Sequence, residues 1–481
     1  MTSVSQLFKA MKDKDLFPPS LQVVIEAPDL SFPIADAPSS SWLSGTDLTE
    51  ALQRSTAVEK YGLTADAEPV WNIRNNLALN ITQDALIGLI DRLTVSNDGG
   101  AVVRPARIHQ TQLDDVVRLH LEVDRVLDDT PDRPTGRGVT IAVIDSGIDA
   151  AHDDFSGRIH PKSCSFVPGH PHDQDAYGHG THVAGILAGS GSHYKGIAPE
   201  ATLLILRVFD DTGRADEGRV AAAIRYAVEN GADVINFSGG YAPVEYGVPL
   251  IDPPWVWRMA EMKEEREIRR AFDNGVLSIV SAGNYGRFGF GTICCPATSP
   301  HAIAVGSITK QRALSSFSSL GPSYRCQDLE PADHVVSRDT LTTRITSQAR
   351  PHLVAIGGEV DLDAECPYLP GVMSAYSRTT RISQDACLAS AGREYCKMSG
   401  TSQAAPVVAG LAALVTERLA ELGEKPTTTA ERRRRASTVR KLLLASTEAI
   451  TVKNRSRTVG NGIPTWRVLD RRIREFVNNN H

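Results

Sequence analysis

The sequence predicts an α/β fold: a doubly wound, mainly parallel sheet with helices on both faces, preceded by a small α+β N-terminal module. Three observations support this prediction. Residues 139–144, VTIAVI, form a continuous apolar run rich in β-branched side chains, which is typical of a strand buried on both faces. Strand and helix patterns then alternate from residue 203 to 307. Residues 407–415 are apolar on nearly every face, which indicates a helix at the centre of a domain.

The beginning of the chain differs in pattern from the rest. Residues 1–45 are rich in Pro, Ser and Asp and predict a loosely ordered lead-in. Residues 47–94 show a helical pattern, which is clearest at 85–93. Residues 101–104 and 116–121 alternate between apolar and polar side chains, as short strands do.

We therefore expect a separate module at residues 1–129, which acts either as a pro-region or as a regulatory, partner-binding segment. Residues 130–138 contain two prolines and two glycines and predict a linker. The main domain follows at residues 139–475, and its crossovers are expected to be right-handed. Beyond its first strand, the predicted strands lie at 203–208, 233–237, 276–280 and 302–307, and the predicted helices at 218–230 and 254–274.

Composition and charge argue against several classes of function. Hydrophobic residues make up 41% and charged residues 22% of the 481 residues, and the net charge of −6 favours neither nucleic acid nor a membrane as a partner. Charges interrupt the first 15 residues where a secretory signal needs an apolar core, and no window approaches the ~20 apolar residues that span a bilayer. A cytoplasmic location is therefore expected.

The seven cysteines follow no metal-ligand spacing, so the sequence predicts no metal centre. Reduced thiols agree with a cytoplasmic location. In an exported chain, a Cys366–Cys387 or a Cys387–Cys396 bridge is the alternative.

Three residues stand where α/β proteins place their chemistry. Asp145 follows the apolar run at 139–144, although a carboxylate there serves equally well to cap the next turn. His179 is flanked by glycines at a helix entrance, where the backbone can approach a neighbour closely, but a lone histidine is more often structural. Ser402 stands at the start of the apolar helix, where unpaired N–H groups carry partial positive charge. An ordinary helix N-cap is the alternative for Ser402.

Two further strand exits carry small and polar residues. The segment Ser238-Gly239-Gly240 follows a predicted strand, and its glycines leave backbone groups available to pair with an extended peptide. Ser281-Ala282-Gly283 follows another strand and leads into Asn284, whose carboxamide can donate a hydrogen bond from the strand end. A turn-forming role is the simpler alternative for Asn284.

The acid, the histidine and the serine occur in the chain order Asp, His, Ser, which is one of the known orders of a catalytic triad. The sequence resembles the subtilisin-like serine protease family, also called subtilases, over about residues 135–475. The segments that carry the resemblance are Ile144-Asp145-Ser146-Gly147-Ile148-Asp149, Gly178-His179-Gly180-Thr181-His182-Val183-Ala184-Gly185, Ser281-Ala282-Gly283-Asn284 and Gly400-Thr401-Ser402-Gln403-Ala404-Ala405-Pro406.

The resemblance implies a subtilisin-like fold and a serine endopeptidase that hydrolyses protein or peptide substrates through an acyl-enzyme. Ser402 would be the nucleophile, His179 the general base and acid, and Asp145 the residue that orients the imidazole. Asn284 and the Ser402 N–H would bind the oxyanion. The substrate-binding residues would be Ser238, Gly239, Gly240, Ser281, Ala282 and Gly283. A catalytically silent peptide-binding scaffold of the same fold is the alternative function.

No cofactor is expected. Secreted subtilases have a calcium-site loop, and Asp154 matches the family's carboxylate ligand, but residues 189–196 are short and lack asparagine-type ligands. The sequence therefore leaves a calcium ion open and favours its absence. His182, three residues beyond His179, is interpreted as a packing residue because no third metal ligand accompanies the pair. A regulatory partner that binds residues 1–129 is a further expectation.

Overall fold

The computed structural model describes the greater part of the chain from residue 134 onward and six strands before it. The described residues are 20–26, 42–44, 67–73, 76–82, 102–105, 108–111, 134–190, 194–241, 244–245, 248–249, 263–321, 350–360, 371–380, 394–452 and 455–478. The chain divides into two compact units, one comprising Met1–Ile108 and Asp216–Gly218 and the other His109–Ala215 and Arg219–His481.

The first unit contains a five-stranded antiparallel sheet in the order β2-β3-β4-β1-β5. Its strands are β1 (Ser20–Glu26), β2 (Trp42–Ser44), β3 (Ala67–Ile73), β4 (Asn76–Thr82) and β5 (Val102–Pro105).

Two predictions for this region are wrong. Strand β1 lies in the predicted lead-in at residues 1–45, and strands β3 and β4 lie within the predicted helical stretch. The reason is visible in β1 and β4, where apolar residues alternate with a period of two, as one face of a sheet requires. Strand β5 confirms the strand predicted at 101–104. The predictions for 85–93 and 116–121 lie outside the described residues.

The remaining strands and helices follow in chain order. The strands are β6 (Ile108–Thr111), β7 (Thr140–Asp145), β8 (Cys164–Ser165), β9 (Thr202–Arg207), β10 (Arg214–Asp216), β11 (Val234–Phe237), β12 (Gly239–Gly240), β13 (Val244–Glu245), β14 (Val248–Pro249), β15 (Leu277–Ser281), β16 (Ala302–Ile308), β17 (Leu353–Ile356), β18 (Val372–Ala375), β19 (Tyr395–Met398), β20 (Thr447–Glu448) and β21 (Ile463–Pro464). The helices are α1 (His179–Ala188), α2 (Glu217–Glu229), α3 (Lys263–Asp273), α4 (Thr401–Glu421), α5 (Thr429–Ala445), α6 (Arg455–Thr458) and α7 (Trp466–Asn478).

A seven-stranded parallel sheet in the order β17-β16-β15-β11-β7-β9-β8 organises the second unit. Strand β7 lies between β11 and β9 and is buried over Ile141–Asp145, as its apolar sequence predicts. Because β7, β11 and β15 are parallel neighbours, their carboxyl ends meet at one edge of the sheet. The predicted doubly wound α/β fold is confirmed, and the strands predicted between residues 203 and 307 are confirmed to within one residue at their starts and ends.

Helix α4 forms the centre of the hydrophobic core. It is buried from Thr401 to Thr416 and packs against helix α1 and strands β11, β15 and β16. A helix that is apolar on all faces is stable only when protein surrounds it, which the apolar stretch at 407–415 predicts. The start of α4 is therefore held on a rigid support.

Three short strands form a separate sheet in the order β10-β6-β12. In this sheet Thr111 pairs with Gly239 and Gln110 with Gly240, in antiparallel register. Strand β12 follows the carboxyl end of β11 by a single residue, Ser238. The backbone of Gly239–Gly240 is thus already engaged by a strand from the chain itself.

Candidate active site

Asp145 and His179 meet at the carboxyl end of strand β7. His179 Nδ1 lies 2.7 Å from Asp145 Oδ1, and both side chains are buried. Asp145 Oδ1 also accepts the Ser146 N–H at 2.8 Å. Because a carboxylate accepts here, Nδ1 carries a proton and donates it to Asp145. His179 Nε2 has no hydrogen-bond partner among the described residues.

Helix α1 can approach strand β7 this closely only because Gly180 has no side chain. A Cβ at Gly180 would lie 2.2 Å from the Gly147 carbonyl oxygen and 3.2 Å from Asp145 Cβ. Any larger residue would push the helix, and His179 with it, away from the strand end. The glycines around His179 in the sequence therefore mark a real packing requirement.

Ser402 is the second residue of helix α4 and is fully buried. Its hydroxyl donates to the Ser238 carbonyl oxygen at 3.2 Å, and the Ser238 hydroxyl donates to the Ser402 carbonyl oxygen at 2.9 Å. This reciprocal pair joins the exit of strand β11 to the start of α4. The structure forms no hydrogen bond between Ser402 Oγ and His179 Nε2, so two of the three expected triad residues are bonded directly and the serine points to Ser238.

Asn284 is held by Thr401, the residue before Ser402. Asn284 Oδ1 accepts the Thr401 N–H and the Thr401 hydroxyl, each at 2.9 Å. These two bonds determine which end of the carboxamide faces Thr401, so Nδ2 is directed away from it. Thr401 was not predicted as a site residue. The Gly400-Thr401-Ser402 motif contained the signal, since Thr401 is a polar residue that directly precedes the serine at the helix start.

The residues predicted to bind substrate lie on two backbone segments. In the segment 238–240, Gly239 and Gly240 pair with strand β6. In the segment 281–283, the Ala282 N–H donates to the Val305 carbonyl oxygen and the Ala282 carbonyl oxygen accepts the Cys294 N–H, each at 2.8 Å. Gly283 has a φ of +114°, and a Cβ there would lie 2.4 Å from Cys294 Sγ. The backbone of Tyr241 pairs with that of Cys295, so residues 294–295 connect the two segments. Sequence reasoning did not include these cysteines.

Asp175 is another buried carboxylate close to the Asp–His pair that the sequence did not reveal. It is fully buried and accepts hydrogen bonds from Ser146, Gly178 and Thr181. Its only signal in the sequence is an acid four residues before a glycine-flanked histidine, a pattern too common in loops to carry a prediction.

His182 serves a different purpose from His179. Its Nε2 lies 3.0 Å from the Val372 carbonyl oxygen and 3.2 Å from the Cys396 carbonyl oxygen. Burial, with a smaller contribution from nearby His179, lowers the pKa of His182 to about 3. A neutral, bonded imidazole that ties helix α1 to strands β18 and β19 agrees with a packing role.

The Asp154 side chain and backbone have hydrogen-bond partners within the chain. The Tyr395 hydroxyl donates to Asp154 Oδ1 at 2.8 Å, and the Asp154 carbonyl oxygen accepts from the Arg158 guanidinium and from Ser190 Oγ. Burial raises the pKa of Asp154, and the hydrogen bond from Tyr395 opposes that rise. In the part of the chain that the structure describes, no group of three or more His, Cys, Asp or Glu side chains could hold a metal ion. Cys366 and Cys387 lie outside the described residues, so the alternative bridges Cys366–Cys387 and Cys387–Cys396 stay predictions.

An α/β protein with a buried Asp–His pair and a serine at a helix start has the architecture of a triad hydrolase. The model of the Subtilase family matches residues 136–462, which is more than half of the sequence. This chain therefore belongs to the subtilase family.

Relatives agree with this assignment. The subtilisin-like protease PopC of Myxococcus xanthus is 30% identical over 301 residues, which cover 60% of this chain and 53% of PopC. Subtilisin NAT of Bacillus subtilis subsp. natto is 35% identical over 191 residues, 39% of this chain and 45% of that protein. The chain thus spans about half the length of these curated relatives.

Among solved structures, the epidermin leader peptide processing serine protease (EpiP) of Staphylococcus aureus is similar, with a TM-score of 0.59. The alignment covers 94% of this chain and 98% of EpiP at 17% sequence identity, so the likeness concerns the fold alone. Among the described residues, no helix is both long enough and apolar enough to cross a membrane.

Proposed function

We propose that this chain is a serine endopeptidase that cleaves protein or peptide substrates through an acyl-enzyme. The observation that carries the proposal is the 2.7 Å contact between His179 Nδ1 and Asp145 Oδ1 in a buried environment. That contact fixes the imidazole tautomer whose Nε2 can accept a proton, which is the requirement for a general base.

In the proposed reaction, Ser402 Oγ leaves the Ser238 carbonyl and presents its proton to His179 Nε2. The serine oxygen attacks the substrate carbonyl while His179 takes the proton, and the resulting imidazolium is stabilised by Asp145. His179 then gives the proton to the leaving amine. Water repeats the sequence on the acyl-enzyme and releases the acid product.

Charge on the substrate oxygen would be stabilised by Asn284 and by the Ser402 N–H at the start of helix α4. The Thr401 N–H and hydroxyl hold Asn284 Oδ1 at 2.9 Å, which supports a fixed donor direction for the other end of the amide. The N-terminal end of a buried helix adds partial positive charge. Segments 238–240 and 281–283 would position the substrate backbone.

The test is covalent labelling of the full chain with a fluorophosphonate, which reacts with an activated serine. We expect one label on Ser402, none on the Ser402→Ala chain, and undiminished labelling of Ser399→Ala. Ser399 is the matched control because it is equally buried and its hydroxyl donates to the Glu359 carbonyl oxygen at 2.8 Å, away from His179. Hydrolysis of casein or of a peptide substrate should be retained by the wild-type and Ser399→Ala chains and lost in the Ser402→Ala chain.

We further propose that the N-terminal region at residues 1–129 regulates access to the active site. The pairing of Gln110 and Thr111 with Gly240 and Gly239 supports this, because an extended substrate would need the same strand edge. The two strands cannot occupy one edge together. The N-terminal region would therefore compete with substrate.

A proline in strand β6 tests this competition, because proline removes a backbone donor and disfavours pairing. Gln110→Pro should raise the rate of peptide hydrolysis by the full chain, while Gln110→Ala, which keeps its N–H, should not. Equal rates for the three chains would refute the regulatory role. Absence of labelling in both the wild-type and the Gln110→Pro chains would refute the peptidase itself.

A further inference from the structure

Asp175 is a fully buried carboxylate with four hydrogen-bond donors around it. Its Oδ1 accepts the Ser146 hydroxyl and the Gly178 N–H, each at 2.8 Å. Its Oδ2 accepts the Thr181 N–H at 2.8 Å and the Thr181 hydroxyl at 2.7 Å. Each of the two oxygens thus accepts two hydrogen bonds.

Two of the three donor residues lie next to a residue of the Asp–His pair, and Thr181 lies two residues beyond His179. Ser146 follows Asp145, and Gly178 precedes His179. The Asp175 carboxyl group therefore holds one chain neighbour of each residue of the pair. The Ser146 hydroxyl also accepts the Gly180 N–H at 2.9 Å, which closes the network between the end of strand β7 and the start of helix α1. Asp175 therefore anchors both the end of strand β7 and the start of helix α1. The residues that these two elements bring together, Asp145 and His179, are 34 positions apart in the sequence.

Asp175 accepts hydrogen bonds at the start of helix α1. Thr181 is the third residue of helix α1, so the carboxylate accepts from an N–H that has no partner inside the helix. An anion at a helix start is stabilised by the helix dipole. Burial raises the pKa of Asp175 and its hydrogen bonds oppose that rise. The backbone of Asp175 is also held in place, since its carbonyl oxygen accepts the Ser377 hydroxyl at 2.7 Å.

We propose that Asp175 is a positioning residue of the proposed peptidase: it sets the contact between Asp145 and His179 by holding Ser146 and the start of helix α1 together. The inference rests on the proposed function, because positioning has meaning only if the Asp–His pair works in catalysis. Asp175 acts through its neighbours and does not touch the reacting atoms.

Asp175→Asn tests the proposal, since the amide keeps the shape but turns one acceptor into a donor that faces occupied donors. We expect kcat to fall by about 10- to 100-fold, the scale of a small misplacement of catalytic groups, while KM changes by less than about twofold. The low-field proton resonance of the His179 Nδ1–H···Asp145 bond should shift or broaden, which a general loss of stability would not cause in the folded chain.

Asp149→Asn is the matched control. Asp149 is also buried, follows the same strand β7 and accepts the Arg378 Nε–H at 3.0 Å, but it holds neither Ser146 nor Gly178. This variant should lose thermal stability while kcat and the His179 resonance stay as in the wild type. If Asp175→Asn does not fold, Ser146→Ala removes one donor to Asp175 together with the acceptor of the Gly180 N–H, and it should lower kcat by a smaller factor with the same shift of the resonance.

The outcomes separate the two proposals. If the wild-type chain labels and turns over substrate but Asp175→Asn and Ser146→Ala keep wild-type kcat and resonance, Asp175 is only structural and the inference is wrong. If the wild-type and Gln110→Pro chains both fail to label at Ser402, the peptidase proposal fails first.

Discussion

The surroundings of His179 and of His182 differ sharply although the two residues lie one turn apart on helix α1 and are both fully buried. His179 faces a carboxylate through Nδ1, and its Nε2 has no partner in the part of the chain that is described. His182 faces two backbone carbonyls through Nε2 and is held neutral by burial. Burial alone therefore does not distinguish a candidate base from a structural residue; the partner atoms do.

This comparison has a physical basis. At His179 the partner is the Asp145 carboxylate, which accepts from Nδ1 and leaves Nε2 directed elsewhere. Two carbonyl dipoles fix the position of His182, but they do not offset the cost of burying its charge. The same side chain is thus suited to proton transfer at one position and to fastening two strands at the other.

The largest expected difference is between the alanine variants of the two histidines. His179→Ala should lower kcat by about 10⁴-fold or more with the fold intact, because the serine loses its base. His182→Ala should lower the free energy of unfolding by about 2–3 kcal/mol, because it removes a hydrogen bond and leaves a cavity. The kcat of the folded fraction should be nearly unchanged. Peptide hydrolysis and urea unfolding of both variants measure this; equal kcat losses would break the distinction.

The next largest effect is expected at Asn284. Replacing it with alanine removes the proposed oxyanion donor and should lower kcat by about 10²–10³-fold with little change in KM. Asn236→Ala serves as a control, because Asn236 is also a buried amide and its Nδ2 donates to the Ser238 hydroxyl at 3.1 Å. A loss of kcat in Asn236→Ala as large as in Asn284→Ala would argue against a special role for Asn284.

The third prediction concerns pH and stability. The pKa of His182 is about 3 in the folded chain, below the ordinary value of 6.5, so the unfolded chain binds the proton first as pH falls. The contribution of neutral His182 is fully present above about pH 6.5 and declines from there toward pH 3. His182→Gln keeps a donor for the carbonyls and does not titrate, so its unfolding free energy should depend less on pH across this range. Urea unfolding between pH 4 and pH 8 measures the slope, and an unchanged slope would contradict the prediction.

The smallest effect is expected from removal of divalent cations. Because Asp154 is bonded to Tyr395 and its carbonyl oxygen to a guanidinium, a chelator should leave the melting temperature of the chain unchanged. Tyr395→Phe removes that hydrogen bond and should cost about 1 kcal/mol. Scanning calorimetry with and without EDTA tests both; a clear fall in melting temperature on adding EDTA to the wild-type chain would show a metal requirement.

Much of the second unit could be predicted because its signals are local. Six consecutive residues are enough to predict β7 as a buried strand, and the apolar faces of α4 predict a central helix. The N-terminal strands were harder, because β1 lies among prolines and serines and β3 and β4 lie within a stretch with a helical pattern. These segments form strands because β1 and β4 pair in antiparallel register, and that pairing joins residues from Ser20 with Thr82 to Glu26 with Asn76, far apart in the sequence.

The candidate site shows the same division. Asp145, His179, Ser402 and Asn284 could be picked out because each follows a strand or opens a helix in a recognisable motif. Thr401 and Asp175 could not, because their importance lies in which atoms they hold: the Asn284 amide in one case and the Ser146 and Gly178 donors in the other.

The sequence by itself determined the α/β class, the strand ends and helix starts that carry polar residues, and the identity of the candidate reactive residues. Only the tertiary structure decided the tautomer of His179, the direction of the Ser402 hydroxyl, the engagement of Gly239–Gly240 by strand β6 and the anchoring by Asp175. The physical reason is range: periodicity and motifs report interactions between near neighbours, whereas a hydrogen bond between distant residues exists only once the sheet has brought its strand ends together.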